Sequence, residues 1–181
     1  MTTRRTVLAA GASMLALTAA RTARADCRST LSTQDSQADG CVVLRLYKLP
    51  RRGQPEAALS MAQLQKLPQK SIRTRLPANF QVNGLHHWQG PPLSAVLNRH
   101  GMLDKRGVYA ESITGYGAQL PYRDLLDYEP ILAWQHNGQA MSVRHNGPLL
   151  VIYPFDNHPA LKQDIRYLQR TVWQVQSLVV L

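Results

Sequence analysis

Between Val42 and Leu181 the apolar positions switch repeatedly between a two-residue and a three-to-four-residue period, and neither period lasts long. Short strands interleaved with short helices predict an α+β domain. Val42–Lys48 alternates and reads as a strand. Ser60 has the side chain to cap a helix running through Leu67, which Pro68 stops. Lys70–Arg75 alternates again, with Phe80–Val82 as a continuation past Pro77. Pro91-Pro92 opens a helix, Leu93–His100, with Leu93, Val96 and Leu97 on one face and Gly101 after it. Gly107–Ile113 is strand-like, and Gly115 and Gly117 bracket Tyr116 in a tight passage. Pro121 starts a short helix, Tyr122–Tyr128. Asn137-Gly138 is the strongest hairpin signal, flanked by Ile131–His136 and Ala140–Arg144 as strands. Leu149–Tyr153 reads as a buried strand, Pro159–Leu168 as the last helix and Val172–Leu181 as the last strand. The pattern predicts a mostly antiparallel or mixed β core with three or four short helices, and no internal repeat.

Residues 1–25 stand outside this pattern. Thr3-Arg4-Arg5-Thr6-Val7-Leu8 resembles a twin-arginine export motif, and Ala9–Ala20 is a soft apolar run too short to span a bilayer. Ala23-Arg24-Ala25 has the small-x-small form of a cleavage site. The expected organisation is therefore a signal peptide over 1–25, an N-terminal arm over 26–41 and one domain over 42–181, in the periplasm. The 156 residues left after the cut suffice for a single core. No later apolar run approaches the roughly 20 residues a membrane helix needs, so no membrane insertion is expected.

Charge changes the picture once the leader is removed. Arg4, Arg5, Arg21 and Arg24 lie in it and no acidic residue does, so the balance falls from +10 to +6. A basic surface often meets nucleic acid, but no aromatic-basic RNA motif, zinc spacing or helix-turn-helix pattern accompanies it. An anionic ligand, a membrane surface, an acidic partner and plain solubility all remain open. Cys27 and Cys41 are the only cysteines. In an oxidising compartment a bridge between them would close a loop of about 15 residues, worth roughly 3 kcal/mol. A reactive or metal-binding thiol pair would need a Cys-x-x-Cys or histidine context that is missing.

The segments Ser71–Leu76, Trp88-Gln89-Gly90-Pro91-Pro92-Leu93, Ser112–Leu120, Ile131–Gly138, Gly147–Pro154 and Val172–Val179 carry a resemblance. Their order is similar to that of the sulfite-oxidase-like molybdopterin-binding fold, over roughly 42–181. The resemblance implies a metal-ligating cysteine near Thr74 or Arg75, where neither residue is a thiol. It also implies an arginine that grips the cofactor phosphate, at a position matched by Leu150. A basic residue before the last strand matches Val172, with Arg170 nearby. These departures resemble the short periplasmic pterin-binding proteins that lack the molybdenum-ligating cysteine. That group implies a non-enzymatic pterin sensor acting on the periplasmic domain of an inner-membrane diguanylate cyclase or phosphodiesterase. The alternatives are a molybdopterin-dependent oxidoreductase subunit with a non-cysteine metal environment and a ligand-free adaptor.

A pterin is a flat ring with donors and acceptors along its edge, and calls for aromatic faces and directional hydrogen bonds in a concave pocket. Trp88, Tyr116, Tyr153 and Trp173 offer faces, although each suits a core as well. Arg75, Arg144 and Arg170 offer donors; Asp156 would read an amino edge, or simply cap a turn. Thr74 and Thr114 offer hydroxyls. His86 and His87 are adjacent, so on a strand they point to opposite faces and do not share a metal. The expected ligand is a metal-free pterin. No serine elbow, zinc-protease helix or phosphate loop is present, so no catalytic set is expected.

Overall fold

The computed structural model describes residues 41–51, 53–76 and 82–181. The expected export segment, Cys27 with its bridge, most of the N-terminal arm and Phe80–Gln81 lie outside them. A five-stranded sheet is built on β1 (Val42–Lys48), whose bounds match the alternation in the sequence. β2 (Ala57–Ser60) folds back antiparallel to it. Ser60 then caps α1 (Met61–Gln65): its hydroxyl accepts from the Gln63 amide, and the Gln63 side chain accepts from the Ser60 amide. The turn ends sooner than Leu67 because the Gln69 side chain donates to the carbonyls of Leu64, Gln65 and Leu67.

β3 (Lys70–Arg75) pairs antiparallel with β4 (Leu85–Gly90), a strand the apolar pattern does not reveal. Gly90 is where β4 meets the interior, since a Cβ there would lie 2.1 Å from the Leu132 carbonyl oxygen. After α2 (Leu93–Arg99) come β5 (Val108–Ser112) and β6 (Gly117–Leu120), a hairpin whose turn needs Gly115 at φ 88°. The Tyr109 ring occupies the place a Gly117 side chain would take. Both glycines thus serve the hairpin itself.

α3 (Tyr122–Asp127) leads into the interior strand β7 (Ile131–Ala133). The expected strand Ile131–His136 is broken in two. Its apolar half pairs with β10 (Leu150–Ile152), and all six residues of that pair are fully buried. Its polar half, β8 (Gln135–His136), crosses to β4 and turns through Asn137-Gly138 into β9 (Gln139–Ala140). Both turn residues have positive φ, 49° and 81°, as a two-residue hairpin of this hand requires.

The expected strand Ala140–Arg144 stops at Ala140. Ser142 bonds its own neighbourhood instead: its carbonyl accepts from the His145 and Gly147 amides and its hydroxyl meets His145 Nδ1. Val143–His145 consequently forms a 3₁₀ turn, closed by left-handed Asn146. The expected helix Pro159–Leu168 is also two, α4 (Ala160–Gln163) and α5 (Ile165–Gln169), because extended Asp164 caps the second through the Arg166 amide. Among the described residues this gives five α-helices, where three or four were expected. β11 (Val175–Val180) completes the large sheet, order β2-β1-β11-β5-β6. Its pairing with β1 is parallel, and every other ladder among the described residues is antiparallel. A sheet of order β3-β4-β8-β9 forms a separate layer, and one continuous apolar core runs through the domain.

Candidate functional site

Where the β5–β6 turn meets the segment between α5 and β11, Ser112, Thr114, Tyr116, Leu168, Thr171, Trp173 and Gln174 line a cleft of about 280 Å³. Three residues picked out from the sequence, Thr114, Tyr116 and Trp173, therefore come together although up to 59 positions separate them. Ser112 shapes one wall: its amide donates to the Tyr116 carbonyl, and its hydroxyl accepts from the Thr114 amide and bonds the Thr114 hydroxyl at 3.0 Å. Tyr116 is half exposed, and its hydroxyl donates to the Gln169 carbonyl. Burial first and then Tyr109 raise its pKa, so it stays a neutral donor. Gln174, at φ 54°, accepts from the Ile113 amide and donates its side chain to the Val143 carbonyl at 2.8 Å. That last bond fixes the 3₁₀ turn beside the cleft. Arg144 is exposed on this turn, next to Val143.

Behind Trp173 lies an aromatic layer. Trp88 meets it edge-on at 6.0 Å and stacks flat on His136, with ring centroids 4.0 Å apart. Trp88 is fully buried, so it offers no face to a ligand, yet its indole N–H has no hydrogen-bond partner among the described residues. A buried donor left unsatisfied costs about 1–3 kcal/mol. His86 Nε2 donates to the Asn83 carbonyl, which leaves Nδ1 to accept from His136 Nε2 at 2.8 Å and from the Asn137 side chain through Nδ2. Burial and then His86 lower the His136 pKa. His87 is exposed while His86 is half-buried in this layer. Among the described residues no group of three His, Cys, Asp or Glu is placed to hold a metal.

Thr74 and Arg75 form a second cluster with Asp156. Thr74 is fully buried, and its hydroxyl accepts from the Asp156 amide. The Arg75 amide and guanidinium both donate to Asp156 Oδ2, at 3.1 and 3.2 Å, while Lys162 bonds Oδ1. Burial alone would raise this carboxyl; hydrogen bonds from Lys162 and the Arg75 amide, with both charges, bring its pKa below the ordinary value. Asp156 also sits in a turn, with the Asn157 and His158 amides on the Pro154 carbonyl.

Tyr153 and Arg170 belong elsewhere. The Tyr153 ring is fully buried and its hydroxyl donates to Asp124 Oδ2, which also receives Arg170 Nη1 at 2.8 Å. The Arg170 guanidinium lies 5.1 Å from the Tyr167 ring centroid. Burial raises the Asp124 pKa against the pull of Tyr153 and Arg170, and burial followed by Asp124 raises that of Tyr153 well above its usual value. These two residues are bound into the core rather than turned to the cleft. Asp124, their common acceptor, carries no sequence motif that would have singled it out. Ser112 and Gln174 likewise escaped the sequence reading; only their closeness to Thr114 and Trp173 hinted at them.

Known proteins share this architecture. The family described as oxidoreductase molybdopterin binding domain matches residues 47–156, more than half of the chain. Among solved structures, the sulfane dehydrogenase SoxCD from Paracoccus pantotrophus is similar at 20% identity and a TM-score of 0.52, over 76% of this chain and 37% of that one. That likeness is one of fold, and this chain spans little more than a third of the SoxCD chain. No curated protein sequence matches.

Proposed function

This chain belongs to the oxidoreductase molybdopterin-binding domain family, and we propose that it binds a pterin-type ligand in the cleft beside Trp173 without oxidising a substrate. The convergence of Thr114, Tyr116 and Trp173 on one cleft carries the proposal. At about 280 Å³ the cleft suits a bicyclic ring better than a ring with a phosphate tail and a metal, being just below the usual ligand-pocket range of roughly 300–1,000 Å³. Trp173 and Tyr116 supply aromatic surface, and Ser112 and Thr114 supply hydroxyls. The unpartnered Trp88 N–H is a donor behind the Trp173 ring.

Among the described residues, those lining the cleft suit the pterin ring and include no thiolate for molybdenum. Thr74 and Arg75 stand where the family resemblance implies the cysteine, and both are engaged by Asp156. Cys41, at the head of β1, does not line the cleft. What the chain's own residues do is therefore bind and orient. Calorimetric titration of the purified chain with a fully reduced pterin under anaerobic conditions tests this. One-to-one saturable binding, weakened by Tyr116→Ala, is expected; a flat titration sinks the reading.

The regulatory part of the proposal rests on resemblance alone. In it, pterin occupancy alters docking on the periplasmic domain of a membrane-bound cyclic di-GMP enzyme, through different partner affinities of the two states. Recovery of no such enzyme from membranes, with or without pterin, would remove that part. A molybdopterin-dependent oxidoreductase subunit is the second reading, and the family description and the SoxCD fold favour it over a regulator. Elemental analysis separates the two, since stoichiometric molybdenum in the protein as isolated would establish the second.

A further inference from the structure

On another part of the domain, Leu59, Gln63, Lys66, Leu67, Arg99 and His100 line a cavity of about 440 Å³ that shares no residue with the cleft. The capping of two short helices brings them there: Lys66 closes α1 and His100 closes α2. Cations at helix C-termini are favourable in themselves, but only by about 0.3–1 kcal/mol, and these helices have five and seven residues. That does not explain why Lys66, Arg99 and the Gln63 side chain all bring donors to one cavity. Among the described residues, Lys66 and Arg99 make no ion pair and no carboxylate lines the cavity. The Gln63 carbonyl oxygen is taken by the Ser60 amide, which leaves its NH₂ to donate. Burial, and then the Arg99 charge, lower the His100 pKa, so the group is held back from ionising by its neighbours. Leu59 and Leu67 supply an apolar wall.

We propose that this cavity is a second ligand site, for a small molecule carrying one compact oxyanion (a carboxylate or a phosphate monoester) on a short apolar body. The anion meets Lys66, Arg99, His100 and the Gln63 amide, and the body packs on Leu59 and Leu67. A bound anion favours the imidazolium, so affinity rises as pH falls through the His100 titration, and the bound ligand raises that titration point. Lys66 and Arg99 are the charged groups that line the cavity with it, and burial and then Arg99 oppose its ionisation until the anion arrives.

The experiment follows the His100 ring by NMR in the full chain, during titration with benzoate, phenyl phosphate and benzyl alcohol. Saturable binding of at least one anion, with an upward move of the His100 titration and no saturation by benzyl alcohol, is the expected result. The stronger of the two anions identifies the headgroup. Lys66→Gln and Arg99→Gln should each weaken binding about tenfold, the loss of one charge-assisted hydrogen bond. Both side chains are exposed, so the substitutions leave the fold, checked by circular dichroism and tryptophan fluorescence, unchanged. Absence of saturation by both anions, equal binding of benzyl alcohol, or unchanged affinity in both variants overturns the proposal.

Discussion

Asp124 and Asp156 each hold an arginine, and they differ in nearly everything else. Asp124 is buried beneath Tyr153 and Arg170, its side chain 7% exposed. Asp156 lies nearer the surface, between an Arg75 side chain that is 62% exposed and Lys162. In the first cluster the environment opposes ionisation and raises the carboxyl; in the second, hydrogen bonds outweigh burial and lower it. The same pair of residue types thus serves as a core fastening in one place and a surface contact in the other. Position in the fold, not residue type, separates them.

The largest effect should come from breaking the buried cluster. Asp124→Ala leaves the Arg170 charge and the Tyr153 hydroxyl without their acceptor, and should cost about 3–5 kcal/mol in denaturant unfolding. A loss under about 1 kcal/mol, the scale of an exposed pair, would erase the distinction. Asp156→Asn should cost only about 0.5–1 kcal/mol, because Arg75 is mostly in water.

The pH dependence sharpens the contrast, because the two shifts have opposite sign. The Asp156 contribution is present above the ordinary aspartate pKa and is lost as pH falls through its lowered folded value. For Asp124 the folded value is raised, so its ionisation costs stability as pH rises from the ordinary value through the raised one. Stability profiles of Asp156→Asn and Asp124→Asn should therefore diverge from the parent in opposite directions on raising the pH. Parallel profiles would show that one of the two environments is misassigned. The smallest effect belongs to the cleft. Tyr116→Phe removes only the bond to the Gln169 carbonyl at a half-exposed side chain, and should move stability by less than about 0.5 kcal/mol. Loss of pterin binding in that variant would show that the hydroxyl, rather than the ring, holds the ligand.

Parts of this architecture are legible in the chain itself. β1 and β3 match their alternation to the residue, and Asn137-Gly138 marks its hairpin, because both signals are local: side chains alternate across a strand, and two positive φ angles need those residues. β2 and β6 have only four residues each and β4 lacks a clean apolar alternation, so they exist through their pairing partners and the pattern passes over them. The break after Ala133 follows from tertiary contact, as β7 joins β10 in the interior while β8 leaves for β4.

The candidate site divides along the same line. An aromatic residue between two glycines was visible as a tight turn, and Tyr116 does stand at the cleft. Trp88 and Tyr153 look equally suited to a ligand in one dimension, yet both are fully buried. Composition and spacing determined the fold class, the short elements and the types of side chain available. Which aromatic faces stay open, and which carboxylate is fastened inside, was decided only by packing. Burial and hydrogen-bond satisfaction depend on neighbours far away in sequence, and no local pattern encodes them.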